Sequence, residues 1–212
     1  MKGIGMNLIY KYLTAQNLQT AFLNTAVIFL FLFLFGLLIH VVKNGIHSLL
    51  AAMFGAKAAF IAVNYLTYPG TIHHELAHAL LAIVTGARVT GIRLVPRGKT
   101  LGSVDMVPRG GVILQSVQNL LSAIAPVLCG CISLYCLFIY GWPLCTCWWQ
   151  MALFFYLFFS VLLHMDLSAA DIRIALSGLP VCAVIIFLIL LVSGKTPGQQ
   201  ILHTIANYCH LL

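Results

Sequence analysis

The feature that most limits how this chain can fold is the run from Phe22 to Ile39, which contains no ionisable group and hardly a polar one. At about 1.5 Å per residue it is nearly long enough to cross a hydrocarbon layer about 30 Å thick. The rest of the chain has too little polar surface to cover such a stretch. Of 212 residues, 62% are hydrophobic and 7% charged, where an ordinary soluble protein has about 25% charged. The expected class is an all-α integral membrane protein, a polytopic bundle of four to six helices forming one domain over residues 1–212. The formal net charge of +7 comes without a Lys/Arg run or a nucleic-acid motif. Basic loops that orient helices account for it, and nucleic acid is not an expected partner. The seven cysteines lack the paired C-x-x-C spacing of a structural zinc site and read as small packing residues.

Along the chain, Lys2 and Lys11 precede the first apolar run in the order of an uncleaved anchor helix. Val41 to Lys57 holds Lys43, Asn44, Gly45, His47 and Lys57 and reads as interfacial or re-entrant. Ala58 to Gly86 is a second apolar stretch, with a break expected at Pro69-Gly70. Arg88 to Arg109 changes character: five basic residues, punctuated by Gly and Pro, suggest two short strands around a turn at Pro96 to Lys99. A third apolar helix is expected from Val112 to about Tyr140 and a fourth from Leu144 to about Leu163. Asp166 to Gly178 is a polar interlude, and Leu179 to Val192 is an apolar run marginal for spanning. Trp142, Trp148 and Trp149 suit an interfacial belt. The charge bias puts Arg88–Arg109 on the cytoplasmic side, and Asp166–Arg173 with it.

The chemistry lies in His74-Glu75-Leu76-Ala77-His78. Glu75 is the only glutamate among four acidic residues, and it stands in an apolar stretch, where an ionisable group costs about 2.5–3.5 kcal/mol on insertion. Its neighbours give the reason. His74 and His78 are four apart, so on a helix both imidazoles leave one face a turn apart, as two nitrogen ligands of a tetrahedral zinc must. Glu75 can then reach a water that the metal has acidified, take its proton and pass it to a leaving amine. With eight histidines in the chain, chance would flank the lone glutamate in this way about once in 700. A catalytic zinc needs a third protein ligand. Position 84, where a third histidine would follow at short spacing, is Val84, and no downstream glutamate exists. The candidates are Asp105, Asp166, Asp171 and His164; the topology favours Asp166 and Asp171, which share the motif's side of the bundle. Helical rise puts the histidines about 15 Å from the Arg88–Arg109 segment. Hydrolysis consumes water, and the polar first turns of the third helix, Gln115 to Asn119, are the expected lining of its path.

Tyr68-Pro-Gly-Thr-Ile-His-His-Glu-Leu-Ala-His-Ala-Leu, followed by Thr85-Gly-Ala-Arg-Val, resembles the site-2 protease family of intramembrane zinc metalloproteases, small bacterial members in particular. Ala123-Ile-Ala-Pro126 is similar to that family's A-G-P pattern on its third helix. The resemblance covers about Ala58 to Gly178. It implies a small sheet after the HExxH helix, zinc as cofactor, Glu75 as general base, and a multi-pass protein of a bacterial cytoplasmic membrane. Its substrate would be a membrane protein or peptide. The family takes its third ligand from a downstream N-x-x-P-x-x-x-L-D-G stretch. Here that stretch reads His164-Met-Asp-Leu-Ser-Ala-Ala-Asp171, without the Asn or the Asp-Gly, and the alignment selects Asp171 over Asp166. A different expectation from the same histidines is a non-catalytic metal-binding membrane protein that serves transport or maturation, for which Glu75 is dispensable.

Overall fold

Helix α1 runs unbroken from Ala15 to Phe54, about twice the length needed to cross a hydrocarbon core. It begins the described part of this computed structural model, residues 14–95 and 101–193; Lys2, Lys11 and the Pro96–Lys99 turn lie outside it. The interfacial segment expected after Val41 is therefore helix. Its polar residues explain why: His40, Lys43, Asn44 and His47 recur at helical spacing and form one stripe. Lys43 Nζ bonds Asp166 Oδ1 at 2.7 Å, and Asn44 Nδ2 lies 2.8 Å from His40 Nε2. Gly55, at φ 86°, ends the helix.

After the short α2 (Ala56–Ile61) and a π-helical turn (Ala62–Leu66) comes α3, Tyr68–Val84, with Pro69 in its first turn. There the missing N–H costs nothing, so the break falls just before the proline. Helix α3 ends in a Schellman arrangement around Gly86, at φ 88°: Gly86 N–H donates to Ile83 and Ala87 N–H to Ala82. That turn reverses the chain into β1 (Arg88–Arg93), which pairs antiparallel with β2 (Ser103–Val107), Arg88 opposite Val107 and Arg93 opposite Ser103. The Tyr68 hydroxyl donates to the Leu94 carbonyl. The hairpin thus runs back along α3 to its first turn instead of leading away from it.

Helix α4 spans Val112–Cys136 with Pro126 inside, and continues through a π-helical and a 3-10 turn to Leu144. Helix α5 is Trp148–Leu163 and α6 is Ala169–Ser193. The polar interlude expected over Asp166–Gly178 is thus largely the first turns of α6. They extend the marginal apolar run to 25 residues. A capping box starts the helix: Ser168 N–H donates to Asp171 Oδ2 at 2.8 Å, and Asp171 N–H to Ser168 Oγ at 3.2 Å.

Among the described residues, three helical stretches are long and apolar enough to cross a membrane, Gln16–Phe54, Val112–Leu144 and Ala169–Ser193. Helices α3 and α5, at 17 and 16 residues, are shorter. Contacts group the chain into a larger unit, Leu34–Leu179, and a smaller one, Met1–Phe33 with Pro180–Leu212. Within the larger unit α3 packs on α4, α5 and both strands. The α3–α5 crossing depends on Gly70: a Cβ there would lie 1.8 Å from the Ser160 carbonyl oxygen and 2.6 Å from His164 Nδ1. The α5–α6 connection is held by Met165, 1% exposed, whose side chain occupies the space a Cβ on Gly130 would need.

Substituting Gly70→Ala forces two backbones apart and should lower stability by about 1–3 kcal/mol. Gly36→Ala on α1, where nothing lies within 4 Å of the new carbon, should be neutral or add up to about 1 kcal/mol. Denaturation of the two detergent-solubilised variants checks this. Equal stabilities would show that the α3–α5 approach is not as close as described.

Candidate metal centre

Regular helix over Tyr68–Val84 places His74, Glu75 and His78 on one side of α3. Asp171, in the first turn of α6, meets them there. His78 Nε2 lies 3.4 Å from Asp171 Oδ1, His74 Nε2 lies 3.9 Å from Asp171 Oδ2, and the two histidine Nε2 atoms are 3.0 Å apart. Among the described residues, this trio is the one group of His, Cys, Asp or Glu whose ligand atoms converge closely enough to hold a metal, all within 4.8 Å. Tetrahedral zinc, with bonds of about 2.0–2.1 Å, needs ligand atoms about 3.3 Å apart, and these separations bracket that value.

The orientation of each imidazole is set by a backbone carbonyl. His74 Nδ1 donates to the His164 carbonyl at 2.6 Å, and His78 Nδ1 to the Ser122 carbonyl at 2.7 Å. A carbonyl can only accept, so both Nδ1 atoms carry the proton and both Nε2 atoms present lone pairs. Two lone pairs and a carboxylate therefore face one another with no donor among them. This is the donor set of a cation site, and the carbonyls stand where the outer partners of metal-bound histidines usually stand. His164 is the C-cap of α5, so its carbonyl lies in the last turn, beyond the helix's own donors. Asp171 is oriented by its capping box with Ser168.

Glu75 is 8% exposed, as are His78 and Asp171. The hairpin covers it. A Cβ on Gly102, the residue before β2, would come within 2.6 Å of Glu75 Cγ and 2.8 Å of its Oε1. With glycine here the backbone lies against this carboxylate in its present position; any larger residue would make the Glu75 side chain move. The separation of about 15 Å expected between motif and hairpin segment is therefore wrong, because the segment folds back on α3. In sequence Gly102 is one of several glycines that punctuate Arg88–Arg109, and a lone glycine there carries no further signal.

The structure separates the two aspartates the sequence left as neighbours. Asp166 is engaged by Lys43 at 2.7 Å and approached by His40 at 3.9 Å, and it belongs to no metal-competent group among the described residues. Asp105 sits in β2 opposite Gly91. The His164 ring is not part of the trio; its Nδ1 bonds the Ser160 carbonyl, and its contribution is the main-chain oxygen that holds His74. His73 pairs with Ser133 Oγ at 2.9 Å, a helix-packing role. Of the amides expected to line a water path, Gln115 bonds the Gly110 carbonyl, Gln118 takes the Arg109 N–H and donates to Thr85, and Asn119 donates to Ser177. The ends of α3 and of the hairpin are clamped by Gln118, which is fully buried.

No protein-family model matches this chain, and no curated protein or solved structure is significantly similar to it.

If the trio holds a divalent ion, Asp171→Ala, which removes one of three converging groups, should reduce the bound metal severely. Asp166→Ala, which breaks only the pair with Lys43, should retain most of it. Metal content of the two purified variants by plasma emission spectrometry checks the assignment. Equal retention would move the third ligand away from Asp171.

Proposed function

We propose that this chain is an integral membrane zinc metalloprotease, similar to the site-2 protease family, that hydrolyses peptide bonds in or near the bilayer. The observation that carries the reading is the convergence of two histidine lone pairs and a carboxylate beside the buried Glu75. His74, His78 and Asp171 would hold the ion. A zinc ion bound there supplies Lewis acidity, lowering the pKa of a water and polarising a carbonyl.

The chain's own groups do the rest. Glu75, next in sequence to His74, is the general base: it accepts a proton from water and returns it to the amine of the departing peptide. The hairpin backbone at Gly102 packs against that carboxylate and limits how much bulk water reaches it. The carbonyls of Ser122 and His164 hold the two imidazoles in the tautomer that ligates. A substrate must be extended to present its carbonyl beside a site this enclosed. Among the described residues the sheet has two strands, so each has an edge beside which such a segment could lie as a further strand. The three long apolar helices, with large hydrophobic side chains such as Phe22, Phe33, Leu38 and Ile189 exposed along them, support a bilayer as the surrounding medium.

The competing reading, a non-catalytic metal-binding membrane protein, needs the same three ligands but not Glu75. A carboxylate that ligates nothing and is buried beside the ligands is costly to keep without a task, which favours the enzyme.

The purified protein should contain about one zinc per chain, and a His74→Ala, His78→Ala double variant none. Glu75→Gln should keep the zinc while cleavage of a membrane-anchored reporter peptide falls by about 100-fold or more, the scale of a lost general base. Undiminished cleavage in Glu75→Gln would remove the enzymatic reading; absence of any divalent metal in wild type would remove the metal centre.

A further inference from the structure

The acceptor for His78 is a main-chain carbonyl in the middle of a helix, where carbonyls are ordinarily occupied. In α4 the Ser122 carbonyl should accept from the N–H of residue 126. Residue 126 is proline, which has no N–H and whose ring presses on the carbonyl four residues back. The Ser122 oxygen is therefore released from its helix partner, and it is this oxygen that lies 2.7 Å from His78 Nδ1. The neighbours let α3 come close enough to use it. Ala123 and Ala125 are buried and small, Pro126 is fully buried, and Ser122 Oγ reaches the His78 carbonyl at 3.3 Å. Among the described residues, the other mid-helix proline is Pro180 of α6, which follows Asp171 on the same helix and frees a carbonyl that no ligand uses.

We propose that Pro126 is a positioning residue for the metal ligand His78: by removing one helix hydrogen bond it frees the carbonyl that fixes this histidine's tautomer and ring orientation. The proposal rests on the metal-centre reading above and deepens it. Any residue with an N–H at position 126 gives Ser122 back its helix donor. His78 Nδ1–H then competes for that oxygen, and the ring loses the restraint that keeps Nε2 facing His74 and Asp171. Both ends of the histidine pair would thus be governed by carbonyls that the helices cannot use, one at a proline and one at the end of α5.

The test is zinc affinity of the full, detergent-solubilised chain, measured by competition with a chromophoric chelator. Two substitutions restore the N–H: Pro126→Ala, which also removes ring volume, and Pro126→Val, which keeps a branched side chain in the buried space. Both should bind zinc about 10–100-fold more weakly than wild type, the usual effect of losing an outer partner of a ligating histidine. Pro180→Ala makes the same main-chain change in α6 and should bind as wild type does. Wild-type affinity in Pro126→Val overturns the proposal, whether Pro126→Ala loses affinity or fails to fold, because the ring's packing would then be its whole role. An equal loss in Pro180→Ala overturns it too, as a general effect of helix straightening. If wild type binds no zinc, the metal-centre reading falls and takes this inference with it; if wild type binds and both Pro126 variants match it, this inference falls alone.

Discussion

Lone pairs repel, and the interior of this protein brings together three groups that present nothing else: two imidazole nitrogens 3.0 Å apart and a carboxylate at 3.4–3.9 Å. Such a cluster is costly in an apolar setting unless positive charge compensates it, so it persists only if the framework leaves its members no alternative. The framework does this at each residue separately. Helix α3 supplies the histidine spacing, α4 and α5 supply an acceptor apiece, and the start of α6 supplies the aspartate already tied to its own cap. The close α3–α5 approach at Gly70 and the burial of Met165 under α4 bring the acceptor of His74 and the Ser168–Asp171 cap to the same place. A loosened crossing would act first on the ligands' orientation and only then on the fold.

The hairpin changes what enclosure means here. A segment rich in arginine and glycine would ordinarily be placed in water, away from an apolar helix. Instead the Schellman turn at Gly86 sends it back along α3, and Gly102 brings bare main chain onto Glu75. Arg88 and Arg93 of β1 stay exposed while Gly102 lies against Glu75.

The motif and the bundle were legible because each rests on local periodicity. Apolar runs gave the helices from Val112 and Leu144 to within a few residues, and the i, i+4 spacing put His74 and His78 side by side on one helix face. The paired strands after the motif were also readable, from their Gly/Pro punctuation. What was missed depends on partners distant in sequence. Lys43 looked like a helix interruption because its counter-charge, Asp166, lies on another segment. The start of α6 was legible in principle: Ser168-Ala-Ala-Asp171 has capping-box spacing, and that signal would have both begun the helix and oriented the ligand. Nothing local distinguishes Gly102 from any other glycine in a turn, nor shows which carbonyl a helix proline leaves free.

The placement of Asp171 has a consequence in time. A ribosome releases His74 and His78 long before the carboxylate that completes their set, and α4 and α5 must both emerge in between. Throughout most of its synthesis the chain carries at most the two imidazoles and Glu75, without the Asp171 carboxylate that converges on them. On the metalloprotease reading, ion capture is then a late event that reports the arrival of α6, and a nascent or truncated chain that lacks it cannot attack its neighbours.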